Sequence, residues 1–354
     1  MQIFIMKNNK NILLLDATLR DGGQGLEDGY KNQFYTAEFG AEFIAKTVDK
    51  LMSTDIDIIE LGAMGPSADD KSMFAIYQNV EDLSKTLPKQ RNPKQMYVGL
   101  YIGPDTDVDA IPDWNPSLVE GIRVILRYSE LKKSIEYCAA LAKKGYKVFV
   151  QPMLTMRYTN DELDYVLKAS NDMGAFAAYF VDSYGYMTPA DIDRLLDYYE
   201  QRLEANIYIG FHAHNNMNMA YANVQHFLSK QTNRTLLMDS CVLGIGQGAG
   251  NLQTELIVPY LNANMGKNYH YDSVLDLSEM LEERFLQDNE WGYSITRLLP
   301  AVHQAAYKYG SVLRKRFGMS FREINEFLAW MPNWDKQRYT EARMMELLTE
   351  FKNR

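Results

Sequence analysis

Two histidines, His212 and His214, close an apolar run of the chain, IYIGFHAHNN, which begins at Ile207. Side chains two residues apart on a strand project from the same face, so both imidazoles are expected to face one point. The chain has five histidines, and two of them at this spacing favour a metal site. The alternative is a pair of hydrogen-bonded structural histidines. Asp21, at the end of a second apolar-to-polar junction, LLLDATLRDGGQ, supplies the third predicted ligand.

The three predicted ligands also restrict the type of ion. Two histidines and one carboxylate leave coordination positions open for water and substrate. Ligation by oxygen and nitrogen without a thiolate suits Mn²⁺ or Mg²⁺ best, and is compatible with Co²⁺, Fe²⁺ and Zn²⁺. The sequence therefore predicts a divalent metal cofactor and leaves its identity open.

Arg20 lies beside the predicted ligands and is followed closely by Gly22 and Gly23, which predict a turn. An arginine here could stabilise an enolate or a carboxylate through charge-assisted hydrogen bonds. The plainer interpretation is a salt bridge to Asp16 or Glu60. Glu60 is an ionisable group inside an apolar strand, DIIELG, and such groups are usually paired. Arg20 is its predicted partner, and both roles are compatible.

A glycine-rich segment, GIGQGAGN, runs from Gly244 to Asn251 after the last predicted strand. Backbone N–H groups in such a loop, close to the start of a helix, could bind a phosphate or close over a ligand. It is not a dinucleotide fingerprint, because no acidic ribose partner follows at the expected distance. Asn251 either reaches the metal or caps the helix predicted to start at Thr254.

These residues must be positioned by a regular scaffold. Eight short apolar runs alternate with helix-like stretches through the first three quarters of the chain, which predicts parallel strands covered on both faces. Polar residues, among them Asp16, Asp182 and His212, end several successive strands. This favours a (β/α)8 TIM barrel of the α/β class over a doubly wound sheet, which would concentrate them near one switch point. The predicted strands are residues 12–16, 56–61, 96–102, 121–126, 147–152, 177–182, 207–212 and 236–242.

The strand signals stop near residue 265. We therefore predict a catalytic barrel domain over residues 1–265 and an all-helical C-terminal extension over residues 266–354. Residues 294–317 are predicted to form one of the helices of the extension. Residues 71–86 are predicted to form one of the barrel helices. The aromatic residues of the extension suit a core of its own. The alternative is a surface for oligomers or partners.

Composition excludes several other classes of protein. The net charge of −9 and the pI of about 5.2 argue against a nucleic-acid partner. The chain has two cysteines, which excludes a disulfide framework and predicts a reducing, cytoplasmic location. No apolar run is long enough for a membrane span, so no membrane partner is expected.

The motifs DATLRDGGQ, DIIELG, VDSYG, GFHAHNN and GIGQGAGNLQTE, in this order, resemble the metal-dependent aldolase and synthase superfamily. That superfamily includes 4-hydroxy-2-oxovalerate aldolase, isopropylmalate and homocitrate synthases, and 3-hydroxy-3-methylglutaryl-CoA lyase. The resemblance implies a divalent metal held by Asp21, His212 and His214, with Asn251 nearby. It also implies that Arg20 stabilises an enolate. Two further residues, Glu60 and Asp182, are implied to support the site.

The C-terminal segment WGYSITRLLPAVHQAAYKYG is similar to the helical region of the 4-hydroxy-2-oxovalerate aldolases, where it contacts a dehydrogenase. Tyr293 lies in this segment. The aldolases carry a catalytic histidine where this chain has Gln24, as the synthases and the lyase do. The lyase's loop cysteine is also missing. With no histidine at position 24, a metal-bound water, Tyr293 or a residue supplied by a loop must move the proton.

The sequence as a whole predicts an aldolase that forms or cleaves a carbon–carbon bond of a 2-oxo acid through a metal-stabilised enolate. The predicted catalytic residues are Arg20, Gln24, Glu60, Asp182 and Tyr293. The predicted macromolecular partner is a dehydrogenase or a second copy of the chain. Two alternatives remain: a Claisen-type synthase that adds an acyl-CoA to a 2-oxo acid, and a non-catalytic binding or assembly module.

Overall fold

Eight parallel strands close into a barrel in the computed structural model, which describes residues 11–32, 34, 37–285 and 292–353. The strands of the sheet are β1 (Ile12–Asp16), β2 (Ile58–Met64), β3 (Ile76–Tyr77), β4 (Met96–Tyr101), β5 (Gly121–Leu126), β6 (Lys147–Pro152), β7 (Ala177–Asp182), β8 (Tyr208–Ala213) and β9 (Leu236–Ser240). The order of the eight barrel strands is β1-β9-β8-β7-β6-β5-β4-β2, and pairing of β1 with β2 closes the circle. The short strand β3 adds to β2 outside this circle. The predicted TIM barrel is confirmed.

Helices follow the barrel strands and cover them from outside, which explains why the strands are apolar on both faces. Several helices begin with the capping chemistry that their sequences predict. Thr159 and Thr188 each form a capping box with the acidic residue three positions on. The barrel helices are α1 (Thr18–Lys31), α2 (Ala41–Met52), α3 (Val80–Ser84), α4 (Leu131–Lys143), α5 (Asn160–Asp172), α6 (Pro189–Arg202), α7 (Ala220–Ser229) and α8 (Thr254–Asn264).

The prediction of a turn at Gly22 and Gly23 is wrong, because both glycines lie inside helix α1. The glycines serve close packing instead. An added Cβ on Gly23 would lie 1.9 Å from the carbonyl oxygen of Phe74, and one on Gly25 would lie 2.5 Å from that of Gly246. Glycine has low helix propensity, but close packing in the folded chain requires it at these positions. As a result, Arg20 and Asp21 occupy the first turn of a helix that starts directly after β1.

The prediction of one helix over residues 71–86 is wrong. This segment contains a short 3-10 turn, the strand β3 and the five-residue helix α3. Ala75 adopts a left-handed conformation, with φ of 52°, that interrupts helical geometry. Ile76 then pairs with Ala63 of β2, so sheet pairing replaces the helical hydrogen bonds that the periodicity predicts.

The C-terminal helices divide between two hydrophobic clusters. Helix α9 (Tyr271–Phe285) packs into the barrel cluster, although it follows the predicted boundary at residue 265. A second cluster contains the later helices together with Leu154 and Tyr184 from barrel loops. The prediction of a single helix over residues 294–317 is wrong, because Gln304 has a positive φ and separates two helices. The later helices are α10 (Ile295–Val302), α11 (Lys308–Lys315), α12 (Phe321–Trp330) and α13 (Glu341–Lys352).

In the described parts of the chain, no helix has the length and apolar character needed to cross a bilayer.

Candidate metal centre and active site

Asp21, His212 and His214 meet at the carboxyl ends of the barrel strands. One possible ligand atom from each residue lies within 4.8 Å of the other two. His212 Nε2 is 3.5 Å from Asp21 Oδ2, and His214 Nε2 is 3.8 Å from the same oxygen. Asp21 comes from the first turn of α1, and the histidines come from β8 and the residue that follows it. The spacing i, i+2 therefore brings both rings to one point, as the sequence predicts.

Each histidine uses its other ring nitrogen to contact a fixed acceptor. His212 Nδ1 lies 2.7 Å from Asp239 Oδ2, and His214 Nδ1 lies 2.9 Å from the backbone carbonyl of Asp182. Histidines that bind metals generally donate from the second nitrogen to such acceptors, which fixes the tautomer and the ring orientation. Both Nε2 atoms are therefore left facing Asp21.

The protonation states of these groups suit a cation. Burial raises the pKa of the Asp21 carboxyl, but the charge of Arg20 and the contacts with the histidines outweigh it and hold the pKa well below its usual range. Burial and the neighbouring His212 lower the pKa of His214 to about 4. Asp21 is thus ionised and His214 neutral at neutral pH, which is the state in which both bind metal.

Asn251 lies against the same three residues. Its Nδ2 donates to Asp21 Oδ2 at 2.6 Å, while its Oδ1 is buried and accepts no hydrogen bond from the described residues. The backbone of Asn251 also bridges to that of His214. An ideal Cβ on Gly246 would lie 2.1 Å from the Asn251 amide nitrogen, so this loop glycine leaves the space that Asn251 occupies. The helix-capping interpretation of Asn251 is wrong, since the residue flanking α8 is Gln253.

Arg20 pairs with both acidic neighbours that surround it. Its Nε donates to Glu60 Oε2 at 2.8 Å, and its Nη1 lies 3.1 Å from Asp21 Oδ1. The predicted pairing of Arg20 with Glu60 is confirmed. Gln24, one helical turn later, accepts from Arg20 Nη1 at 3.4 Å. Among the residues that the structure describes, these contacts use Nε and Nη1 of Arg20, so Nη2 is the guanidinium nitrogen left to contact a substrate.

Two charged residues that the sequence analysis missed complete the site. Arg123 of β5 and Asp239 of β9 are fully buried and form an ion pair with each other. Arg123 Nη1 also donates to Glu60 Oε2 at 2.7 Å. Burial raises the pKa of Asp239, but its contacts with Arg123 and His212 have the larger, opposite effect and lower the pKa to about 2. The signal was present, because each residue is a charge inside an apolar strand, GIRVIL or LLMDS, as Glu60 is in DIIELG.

The net charge of this buried group favours a cation. The guanidinium groups of Arg20 and Arg123 face three carboxylates, those of Asp21, Glu60 and Asp239. One negative charge is left over when the histidines are neutral. Burial lowers the pKa of His212, but its contacts with Asp21 and Asp239 outweigh burial and raise the pKa, so without metal a proton on His212 can balance this charge. A buried excess charge needs compensation, and a divalent ion beside Asp21 would provide it. The donor set and its charge therefore fit a divalent metal.

Asp182 takes a structural position beside the site. Its carboxylate accepts hydrogen bonds from the backbone N–H groups of Tyr186 and Met187, which fixes the loop after β7. Burial raises its pKa to about 7, against these hydrogen bonds. Its backbone carbonyl, rather than its carboxylate, contacts His214.

Tyr293 is half exposed, and Tyr307 is the C-terminal tyrosine that lines the cavity beside Gln24. This cavity has a volume of about 220 Å³. The Tyr307 hydroxyl donates to Asp28 Oδ2 at 2.9 Å and lies 3.3 Å from Gln247 Oε1. A larger cavity, of about 1150 Å³, lies between α2 and residues 65–90 and contains none of the predicted site residues. Gln24 connects the cavity of about 220 Å³ to Arg20, because its side chain lines this cavity and accepts a hydrogen bond from the Arg20 guanidinium.

The glycine-rich loop after β9 closes one side of the metal centre. Asn216, which follows the histidines, accepts from the backbone N–H of Ala249 at 2.7 Å and donates to Tyr184 O at 3.0 Å. The loop is therefore fixed to the loop after β7. A Cβ added at Gly246 would lie 2.1 Å from Asn251 Nδ2 and 3.2 Å from Asp21 Oδ2, which explains why a side chain is excluded there.

Comparison with known proteins agrees with this geometry. The model of the HMGL-like family matches residues 11–284, which is most of the chain. The chain belongs to the HMGL-like family. The match covers the whole barrel and helix α9, and so includes Asp21, His212 and His214.

Relatives of the chain include 4-hydroxy-2-oxovalerate aldolases and an oxaloacetate decarboxylase. The chain is 26% identical to the 4-hydroxy-2-oxovalerate aldolase of Pseudoalteromonas translucida (strain TAC 125), covering 89% of both chains. It is 27% identical to the enzyme of that name from Geobacillus genomosp. 3, covering 88% of this chain and 90% of that one. The oxaloacetate decarboxylase of Mycobacterium tuberculosis (strain ATCC 25618 / H37Rv) is 26% identical, over 70% of this chain and 69% of that one.

Solved structures show the same fold. The N-terminal domain of a Bacteroides vulgatus protein described as an aldolase superimposes with a TM-score of 0.71 at 23% identity, covering 89% of this chain and 99% of that one. The carboxyl transferase domain of Rhizobium etli pyruvate carboxylase gives 0.68 at 14% identity, over 98% of this chain and 62% of that one. The family match and the named relatives confirm the predicted superfamily and the prediction of a lyase of the aldolase type.

Proposed function

We propose that this HMGL-like protein is a divalent-metal-dependent aldolase that cleaves a 4-hydroxy-2-oxo acid to pyruvate and an aldehyde, or catalyses the reverse reaction. The observation that carries this proposal is the meeting of Asp21, His212 and His214 with the guanidinium of Arg20 at the barrel mouth. The aldolase names of the relatives support the same reaction. Oxygen and nitrogen ligands favour Mn²⁺ or Mg²⁺ as the ion.

The chain's own residues would divide the work as follows. A divalent ion held by Asp21, His212 and His214 would supply positive charge that stabilises the enolate when the carbon–carbon bond breaks. Arg20 Nη2 donates a hydrogen bond to the same developing charge, and Glu60 holds the guanidinium in place through Nε. Preorganised charge of this kind requires no rearrangement during the reaction.

Proton transfer needs a group other than Gln24. Cleavage of a 4-hydroxy-2-oxo acid removes the proton of the C4 hydroxyl, and an amide cannot accept it at neutral pH. Gln24 is therefore proposed to orient Arg20 and the substrate. Two tyrosines can be compared as proton carriers: Tyr293, which the family resemblance indicates, and Tyr307, which lines the cavity. The variants Tyr293→Phe and Tyr307→Phe separate them, because the carrier's loss should lower kcat while KM changes little.

Gln24 also favours a second candidate function, decarboxylation of a 2-oxo acid such as oxaloacetate. Loss of CO2 gives the same enolate but requires no base for a hydroxyl proton. The similarity to an oxaloacetate decarboxylase supports this candidate. The Claisen-type synthase also uses an enolate, and it remains a further alternative because the synthases resemble this chain at position 24.

One set of assays separates these functions. Metal-reconstituted protein is incubated with a panel of 4-hydroxy-2-oxo acids, with oxaloacetate, and with acetyl-CoA plus 2-oxo acids. Pyruvate from the first panel supports the aldolase, pyruvate only from oxaloacetate supports the decarboxylase, and free CoA supports the synthase. No turnover of any substrate would contradict the proposal and favour the binding or assembly module. His212→Ala tests the metal centre: divalent ion retained at wild-type stoichiometry and affinity would refute the ligand assignment.

The helical region after residue 265 is proposed to bind a dehydrogenase or a second copy of the chain. Exposed apolar side chains support this surface: Val302 is 52% exposed and Trp334 is 73% exposed. Light scattering at increasing protein concentration tests the second copy, and Trp334→Ser should weaken any dimer found. The cytoplasmic location stays a prediction from the cysteine content.

A further inference from the structure

The charged side chains of the site form one closed ring, which we call the charged ring. A single oxygen of Glu60, Oε2, accepts from both Arg20 and Arg123, at 2.8 and 2.7 Å. A single oxygen of Asp239, Oδ2, accepts from Arg123 and contacts His212 Nδ1. Asp21 closes the ring, because its two oxygens face Arg20 and His212. The members of the charged ring, in order, are Arg20, Glu60, Arg123, Asp239, His212 and Asp21.

Arg123 spans the interior of the barrel within this ring. It lies on β5, and its partner Asp239 lies on β9, four strands away in a barrel of eight. The strands are therefore on opposite walls, and the guanidinium must cross the space between them. Two further groups fix its plane. The ring of Tyr179 lies 4.9 Å from the guanidinium carbon, and the amide oxygen of Gln151, in the orientation that satisfies both groups, accepts from Nε at 3.0 Å.

Such an arrangement couples His212 and Arg20, which are not adjacent in the charged ring. A planar guanidinium donates in fixed directions, so the position of Arg123 determines where Glu60 and Asp239 can lie. Asp239 then orients His212, and Glu60 orients Arg20. Tyr179 adds to this constraint, because its hydroxyl donates to the second oxygen of Asp239 at 2.9 Å.

We propose that Arg123 is a positioning residue that sets, through Asp239 and Glu60, both the metal ligand His212 and the enolate-stabilising Arg20. The inference rests on the proposed metal centre. Arg123 has no route to solvent, since its side chain is fully buried, so it acts on the substrate only through these neighbours. Its replacement should therefore change metal binding and 2-oxo acid binding together.

The first test measures Mn²⁺ binding to metal-free protein by calorimetry, without substrate. Arg123→Lys keeps the charge but lacks the fork that reaches two carboxylates, and Asp239→Asn keeps the shape but lacks the charge. Loss of a group that orients a metal-binding histidine typically weakens metal binding by about 10- to 100-fold, and this is expected for both variants. Arg127→Lys is the matched control. Arg127 also pairs with two carboxylates, Asp105 and Glu130, just beyond the same strand, but lies outside the charged ring.

Two further measurements distinguish positioning from a general loss of stability. If Arg123 acts on the metal through Asp239, the double variant of these two residues should bind Mn²⁺ no more weakly than the worse single variant. In reconstituted enzyme, Arg123→Lys and Glu60→Gln should each raise KM for the 2-oxo acid, again without additivity. Tyr179→Phe is the milder variant if Arg123→Lys does not fold, and a several-fold loss of Mn²⁺ affinity is expected.

The outcomes are separable from failure of the proposed function. If Arg123→Lys folds and has wild-type Mn²⁺ affinity and KM, the inference is overturned but the metal centre and the proposed reaction are not. The same result for Tyr179→Phe counts if Arg123→Lys does not fold. Wild-type protein that binds no Mn²⁺ would overturn the metal centre and the inference together. Wild-type protein that binds Mn²⁺ but cleaves no substrate would overturn the proposed reaction, while weaker Mn²⁺ binding by the variants would still support the role of Arg123.

Discussion

Gly246 offers a sharp test of how the glycine-rich loop supports the metal centre. A Cβ at this position would lie 2.1 Å from Asn251 Nδ2 and 3.2 Å from Asp21 Oδ2. Ordinary contact requires about 3.5 Å, so Gly246→Ala should displace the Asn251 amide by more than about 1 Å. The 2.6 Å hydrogen bond from Asn251 to Asp21 would then be lost. A hydrogen bond to a charged group contributes about 1.5–3 kcal/mol, and a loss of this size corresponds to roughly 10- to 150-fold weaker metal binding.

The assay is a Mn²⁺ titration of metal-free Gly246→Ala, with thermal unfolding to confirm the fold. Gly65→Ala is the control, because this loop glycine follows β2 and an added Cβ meets no atom within 4 Å. The cause is isolated by adding Gly246→Ala to Asn251→Ala, where the clash with the Asn251 amide no longer exists. The reasoning would be refuted if Gly246→Ala bound Mn²⁺ with wild-type affinity. It would also be refuted if Gly246→Ala weakened Mn²⁺ binding as much in the Asn251→Ala variant as it does in the wild-type protein.

Three further outcomes are expected. Gly23→Ala should lower the free energy of unfolding in urea by at least about 1–3 kcal/mol, because its Cβ would meet the backbone oxygen of Phe74 at 1.9 Å; unchanged stability would contradict the packing of α1. Burial raises the pKa of Asp16 to about 7, so the native state holds a proton that the unfolded state loses between about pH 4 and 7, and stability falls as pH rises through this window. In metal-free protein, Asp16→Asn should reduce that fall by roughly 2–4 kcal/mol, and parallel pH profiles of the two proteins would contradict it. Burial lowers the pKa of His212, but hydrogen bonds to two carboxylates outweigh it and leave the pKa above its usual value, whereas the pKa of His214 is about 4. Mn²⁺ affinity should therefore weaken by about tenfold per pH unit below the pKa of His212, as one proton competes; a slope of two protons near pH 6 would show that His214 also titrates there.

Much of the fold was determined by local sequence patterns. Apolar runs bounded by turns marked all eight barrel strands to within a few residues, because a strand covered on both faces has no polar alternation. The spacing of His212 and His214 determined that both rings face one point, since strand periodicity is local. The motifs around Asp21 and Asn251 identified the superfamily.

The interior of the site depended on tertiary structure. Gly22 and Gly23 predict a turn from their own propensities. Only the folded chain shows why glycine is needed at these helical positions, because the side chain of Ile245 approaches Gly22 and the backbone of Phe74 approaches Gly23. In the same way, Arg123 and Asp239 are 116 residues apart and on opposite barrel walls, so no local pattern pairs them. Barrel closure brings them together, and the cost of an unpaired buried charge then requires the pairing. The sequence determined which groups could bind a metal, and the closed barrel decided which other charges hold them in place.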